Sequence, residues 1–205
     1  MEIRRINSEF YSNCYLLYNG NDVYIIDPSC KYEVIKTYLK EEDIVKGVLI
    51  THGHIDHIFY IEEIQKEFDC LVYMHKNCLE LLGDEDKNCS SLFRMPKKFE
   101  INKEKIVFVS EGNIIDGLIK VLYTPGHSFD SLMFLVEDYL FTGDTLFKES
   151  IGRTDFYSGN LKLLSDSIRK IYSLKRNLKI YPGHEGGSDL EYEKLNNYYV
   201  KKFMA

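Results

Sequence analysis

The stretch Thr51-His52-Gly53-His54-Ile55-Asp56-His57 places three imidazoles and one carboxylate in a single turn of chain. It follows residues 47–51, Gly-Val-Leu-Ile-Thr, an apolar run that reads as a buried strand. Residues 58–68 then return to helical spacing through Ile61, Ile64 and Phe68. Imidazole nitrogens and carboxylate oxygens are borderline-to-hard donors that suit zinc, iron or manganese. The spacing lets alternate side chains point at different centres. Histidine is otherwise a poor choice for a loop that follows a buried strand.

Three further apolar runs end the same way. His127 follows Thr124-Pro125-Gly126, Asp144 follows Phe141-Thr142-Gly143, and His184 follows Pro182-Gly183. The seven side chains His52, His54, Asp56, His57, His127, Asp144 and His184 exceed what one tetrahedral ion uses. They fit two divalent ions, each with three protein ligands, and one bridging carboxylate. Two ions a few ångströms apart share a hydroxide at neutral pH and polarise a carbonyl or phosphoryl oxygen. His75, at the end of a strand with no matching partner, reads as a satisfied core or surface histidine.

The remaining composition narrows the class. Among 205 residues, 26 Lys+Arg stand against 32 Asp+Glu, a net charge of −6. No cation excess is present to displace counterions from a phosphate backbone, so nucleic acid is not an expected partner. No apolar run approaches the roughly 20 residues that span a bilayer, and residues 1–9 lack the apolar core of a signal peptide. Cys14, Cys30, Cys70, Cys78 and Cys89 are odd in number and form no C-x-x-C pair. They read as reduced, buried thiols of a cytoplasmic protein.

No segment reads as a linker, and no solenoid repeat is present. Residues 14–18 and 23–26 read as strands joined by the turn Asn19-Gly20-Asn21-Asp22. Residues 32–40 read as a helix and 71–74 as a strand. Residues 75–105 are polar and irregular, with a short helix near Leu79–Leu82, and are expected to form a flap or lid. Strand signals resume at 106–109, 119–123, 132–136 and 139–142. After Gly159-Asn160 an amphipathic helix carries Leu161, Leu164, Ile168 and Ile171 on one stripe. Residues 178–181 read as a strand, and Asp189 caps a final helix toward Phe203. Strands followed by a helix in both halves point to two similar halves, sheet against sheet with helices outside.

The four ligand strings, in this order and spacing, resemble the signature of the metallo-β-lactamase superfamily. Asn13-Cys14-Tyr15-Leu16-Leu17 and Ile26-Asp27-Pro28 are similar to its first hairpin. The resemblance implies an α/β fold, the αββα sandwich of the metallo-β-lactamase fold, as a single domain over residues 1–205. Asp144 stands where zinc β-lactamases of this pattern carry cysteine, and His54 where the flavodiiron branch carries glutamate. Both argue against those branches. The chain also lacks room for the inserted domain of the nucleic-acid-cleaving branch. The group it most resembles is the glyoxalase II-like hydroxyacylglutathione hydrolases and their short bacterial relatives. Gly143-Asp144-Thr145-Leu146-Phe147 and Ile151-Gly152-Arg153-Thr154-Asp155-Phe156 are similar to those short members.

By that resemblance His52, His54 and His127 hold the first ion, Asp56, His57 and His184 the second, and Asp144 bridges. The implied cofactor is a pair of divalent ions, with zinc the first choice and iron and manganese also suited. The implied reaction is attack of the bridging hydroxide on a small thioester, an S-acyl thiol, with Asp144 and Asp56 as catalytic carboxylates. A second class stays open. Persulfide dioxygenases resemble the same group, share Gly-Arg-Thr-Asp-Phe, and use one iron on residues matching His52, His127 and Asp144. A third reading is a metal-binding protein without catalysis, against which the complete ligand set argues.

Several positions depart from the pattern. Asp130 stands where glycine is usual, so it is either a turn residue or a carboxylate that alters metal affinity or substrate charge preference. Ser29-Cys30 after Pro28 reads as a loop change without catalytic meaning. Arg153 and Asp155 read as a loop-fixing ion pair or as groups supporting the metal site or a substrate carboxylate. Only 21 residues follow His184, since 205 − 184 = 21, so recognition of glutathione by a helical extension is not expected.

Overall fold

The structure, a computed structural model, describes residues 1–205. It has two compact units, Met1–Phe108 and Val109–Ala205. No helix is long and apolar enough to cross a membrane.

The first unit opens with β1 (Glu2–Asn7), β2 (Asn13–Asn19) and β3 (Asp22–Ile26), an antiparallel meander whose Asn19 faces Asp22 across the expected turn. After α1 (Tyr32–Lys36) the chain returns as β4 (Ile44–Leu49), parallel to β3. α2 (Ile55–Ile58) and α3 (Ile61–Phe68) lead to β5 (Leu71–Met74). α4 (Cys78–Leu82) and a short 3-10 turn precede β6 (Ile106–Phe108). The six strands lie in sequence order, with β3 to β6 parallel. Leu16, Val23, Ile25, Val48, Ile50, Val72 and Met74 pack against Ile35, Ile55, Ile58, Ile61 and Ile64 of the helices. Fully burying one such isoleucine contributes about 1.5–3 kcal/mol of transfer free energy.

The second unit holds β7 (Ile114–Ile115), β8 (Ile119–Tyr123), β9 (Leu132–Val136) and β10 (Tyr139–Gly143) as an antiparallel meander. The small hairpin β11 (Leu146–Phe147) and β12 (Ser150–Ile151) follows, then α5 (Leu161–Tyr172). β13 (Lys179–Pro182) adds to β10 in parallel, and β14 (Ser188–Asp189) closes that edge. α6 (Leu190–Asn196) and α7 (Tyr198–Met204) end the chain. Leu122, Met133, Leu135 and Leu140 pack against Leu164, Ile168 and Ile171 of α5 and Val200 and Phe203 of α7.

The sequence expectations are refined at several elements. The helix expected over 32–40 stops at Lys36, and that over 58–68 is divided at Phe59-Tyr60. Leu161 is half exposed, because it is the first residue of α5 and its stripe turns away from the core there. The single final helix is two, broken at Asn197, whose extended backbone frees its side chain to cap α7. The expected flap over 75–105 is anchored at its base. Asn88 and Ser90 are fully buried, Asn88 donates to Lys97 O at 2.9 Å, and Ser90 Oγ accepts from Lys97 N at 2.9 Å. The main chain of Asn88 also accepts from Ile55 N at 2.8 Å, so α2 and this segment are joined.

Candidate metal centre

Parallel pairing explains where the ligand loops lie in each unit. In the first, Ile26 of β3 faces Leu49 of β4, so the carboxyl ends of the two strands are neighbours. Asp27 leaves one end and Thr51-His52 the other. Asp27 adopts a left-handed φ of 54° and is 2% exposed. Its Oδ1 accepts from Thr51 N at 2.8 Å, and its Oδ2 accepts from Thr51 Oγ1 at 2.7 Å and from His57 Nδ1 at 2.8 Å. Thr51 donates its hydroxyl proton to Asp27, so its oxygen is left to accept from His52 Nδ1 at 3.1 Å. One buried carboxylate therefore sets the tautomer of His57 directly and that of His52 through Thr51, directing both Nε2 lone pairs away from it.

His52, His54 and His57 are all buried. The His52 ring centroid stands 4.7 Å from that of His54 and 4.2 Å from that of His57. Asp56 Oδ2 lies 3.7 Å from His57 Nε2. The main chain of Asp56 is held by Ser12 Oγ, which donates to its carbonyl at 2.5 Å. All four expected ligands of this unit thus share one small volume.

The second unit repeats the logic. Gly143 of β10 faces Pro182 of β13, and Gly183 N donates to Gly143 O at 2.8 Å. Asp144 and His184 consequently emerge side by side, with Asp144 Oδ2 3.4 Å from His184 Nε2. The same oxygen lies 3.6 Å from Nε2 of His127, which stands on the β8–β9 connection. A single carboxylate oxygen between two imidazoles is the arrangement a bridging ligand needs. His127 Nδ1 donates to the carbonyl of Arg153 at 2.8 Å, which fixes its tautomer with Nε2 toward Asp144.

Arg153 also forms a two-pronged ion pair with Asp155, at 2.7 and 2.6 Å, and its guanidinium lies 3.9 Å above the Phe156 ring. The Arg153 guanidinium holds the Asp155 carboxyl down to about 2. The ion pair fixes the loop, as one sequence reading expected, and the loop's Arg153 carbonyl, rather than either side chain, orients His127. Asp130 has no positive φ, so the turn does not need glycine. Its buried carboxylate accepts from Ser128 Oγ at 2.6 Å. His75 is buried, and its Nδ1 accepts from Asn77 N at 3.3 Å. All five cysteines are buried.

The donor set fits divalent ions. His52, His57 and His127, whose Nδ1 atoms are each held by a fixed partner, present Nε2, and the carboxylates of Asp56 and Asp144 stand beside imidazoles. Sequence reasoning missed Asp27, Thr51, Ser12 and the Arg153 carbonyl. The one signal for them was Asp27 itself, an acidic residue directly after a buried strand.

The sequence model of the metallo-β-lactamase superfamily matches residues 7–184. A probable metallo-hydrolase of Bacillus subtilis (strain 168), YqgX, is 32% identical over 94% of this chain and 93% of its own length. A hydroxyacylglutathione hydrolase of Francisella philomiragia is 32% identical over 90% of this chain and 68% of its own. Among solved structures, the B3 metallo-β-lactamase BLEG-1 is similar with a TM-score of 0.89 and 31% identity, covering 97% of this chain and 99% of that one. TTHA1623 in a di-iron-bound form is similar at 0.83 and 25% identity, covering 97% and 100%. The α/β architecture, the ligand loops at the carboxyl ends of paired strands and these matches converge: the chain belongs to the metallo-β-lactamase superfamily of metal-dependent hydrolases.

Proposed function

We propose that the protein is a binuclear metallohydrolase that cleaves a small S-acyl thiol. The observation that carries this is Asp144, whose one oxygen faces the Nε2 atoms of both His127 and His184. In this reading His52, His54 and His127 hold one ion, Asp56, His57 and His184 the other, and Asp144 bridges, with zinc the first choice of metal. The two units act as one hydrolase domain over residues 1–205, which the match across residues 7–184 supports. When bound, the ions supply a nucleophile at neutral pH and a Lewis acid for the scissile carbonyl. Asp27, Thr51 and the Arg153 carbonyl hold the Nδ1 atoms of His57, His52 and His127 and so aim their Nε2 atoms. Asp56, half-buried beside His57, orients the attacking water. His184, the most exposed of the five imidazoles, faces the substrate side together with Phe147. A thioester suits the site because its leaving thiolate needs no separate general acid. The odd number of buried cysteines, with no C-x-x-C pair, supports a reducing compartment, the cytoplasm.

The similarity to a solved β-lactamase gives a second reading, opening of a β-lactam ring. The test joins metal analysis of the purified protein to an activity screen on S-acyl thiols, β-lactams and a low-molecular-weight persulfide. About two ions per chain with thioester cleavage is the expected result. Fully metallated protein that hydrolyses no S-acyl thiol sinks the proposal. β-Lactam opening alone assigns the second reading, and one iron with oxygen uptake on the persulfide assigns a dioxygenase.

A further inference from the structure

The β11–β12 hairpin begins two residues after Asp144 and folds back onto it. At its exit, a Cβ on Gly152 would lie 1.7 Å from the Asp144 carbonyl oxygen, so the returning chain is seated directly on that residue. At its tip, Glu149 holds a left-handed φ of 57°, a conformation that persists in a non-glycine residue only when its surroundings over-determine it. Phe147 stands edge-on to His184, with ring centroids 5.9 Å apart.

What over-determines the hairpin comes from the C-terminal helices. Glu193 of α6 is fully buried. Its Oε2 accepts from Glu149 N at 2.8 Å and from Asn197 Nδ2 at 2.8 Å, and its Oε1 accepts from the Ser188 hydroxyl. Asn197 Nδ2 also donates to Ser150 O at 3.0 Å, and the Tyr192 hydroxyl donates to the Glu149 carboxylate. These donors to Glu193 are uncharged. Burying a carboxylate on neutral donors is costly and persists where it fixes a geometry. Here it fixes both sides of the hairpin tip at once.

We propose that Glu193 and Asn197 are positioning residues for substrate binding. They hold the hairpin so that Phe147 stands beside His184 as the wall against which the apolar acyl group of an S-acyl thiol packs. The inference rests on the thioesterase reading given above and deepens it, since it names thioesters with an apolar acyl chain as the preferred substrates.

The test compares Glu193→Ala and Asn197→Ser with the metal-loaded wild type. Serine keeps an oxygen to cap α7 and loses the donor to Glu193 and Ser150. Hydrogen exchange of residues 146–151, read without substrate, is expected to quicken about tenfold. KM for the longest acyl thioester hydrolysed is expected to rise about threefold or more, with kcat within about twofold and KM for the acetyl thioester unchanged. Ile168→Val, in the buried core of the same unit, controls for general loss of stability and is expected to change neither readout. Unchanged hairpin exchange overturns the proposal, as does an Ile168→Val variant that reproduces the KM pattern. Should both variants fail to fold, Tyr192→Phe removes only the bond to Glu149 and is expected to shift exchange in the same direction; no shift overturns the anchor. A wild type that hydrolyses no thioester removes the substrate wall together with the functional reading, while the exchange result alone still upholds or overturns the anchor.

Discussion

Asp27 makes no claim on an ion, yet two of the proposed ligands depend on it. Its three accepted hydrogen bonds come from Thr51 N, Thr51 Oγ1 and His57 Nδ1. Asparagine tolerates the same left-handed backbone, so Asp27→Asn changes the chemistry and spares the turn. One of its two polar atoms becomes a donor facing donors. The expected outcome is a loss of metal affinity of about 10–100-fold, measured by titration of the metal-free protein. Affinity within twofold of wild type would show that the tautomers are set elsewhere. Asp155 gives a second outcome at this scale. Its carboxyl is held down to about 2 by Arg153. A depressed carboxylate favours the folded loop above the ordinary value of about 3.9, and that contribution fades as pH falls toward about 2. An NMR titration of Asp155 is expected to find its midpoint near 2 and to return toward the ordinary value in Arg153→Ala. A midpoint that ignores Arg153 would rule out the ion pair as the cause. The proposed ligands could be singled out in the sequence because histidine after a buried strand has few other uses. Their orienters were not, because Asp27 and Thr51 are 24 positions apart and meet only through the pairing of β3 with β4.

The turn that carries His127 is shaped by a helix far along the chain. Gly126 has a φ of 143°, and a Cβ there would lie 2.3 Å from the backbone of Leu164 in α5. The contact is reinforced by Asn160 N, which donates to Gly126 O at 2.8 Å, and by Ser167 Oγ, which donates to Pro125 O at 2.7 Å. Gly126→Ala must therefore push α5 away or rebuild the turn. A cost of about 3 kcal/mol follows for overpacking against backbone. At about 2–4 °C per kcal/mol for a chain of this size, Tm should fall by about 6–12 °C in a thermal melt. A fall under 2 °C would mean that the turn has room the structure does not show. Element type was readable where the pattern was strong, as in α5 with Leu164, Ile168 and Ile171. β1 escaped because Glu2-Ile3-Arg4-Arg5-Ile6-Asn7 is an edge strand with only Ile6 buried, so it shows no alternation. The break at Asn197 escaped because it depends on Glu193 and Ser150, neither of which a helical pattern reveals.

At the scale of the molecule, strands then a helix in each half announced two similar layouts, and each unit does contain a six-stranded sheet. The net charge of −6 argued against nucleic acid as a partner and named no substrate. Length and charge say nothing of whether the two halves act together, and the proposed centre makes that a measurable question. It takes four ligands from residues 52–57 and three from His127, Asp144 and His184. An ion that binds only the folded chain stabilises it by RT ln(1 + [L]/Kd), about 2.7 kcal/mol at a hundredfold excess over Kd. For a chain of this size that is a rise in Tm of about 5–11 °C over the chelated protein. If the centre is as proposed, metal loading should also slow hydrogen exchange in both ligand-bearing regions, around 52–57 and around 127, 144 and 184. A melt that ignores added metal would remove the ions from the folded state altogether. Protection confined to one region would leave each unit with its own half of the ligand set, and hydrolysis by a shared binuclear centre would lose its structural basis.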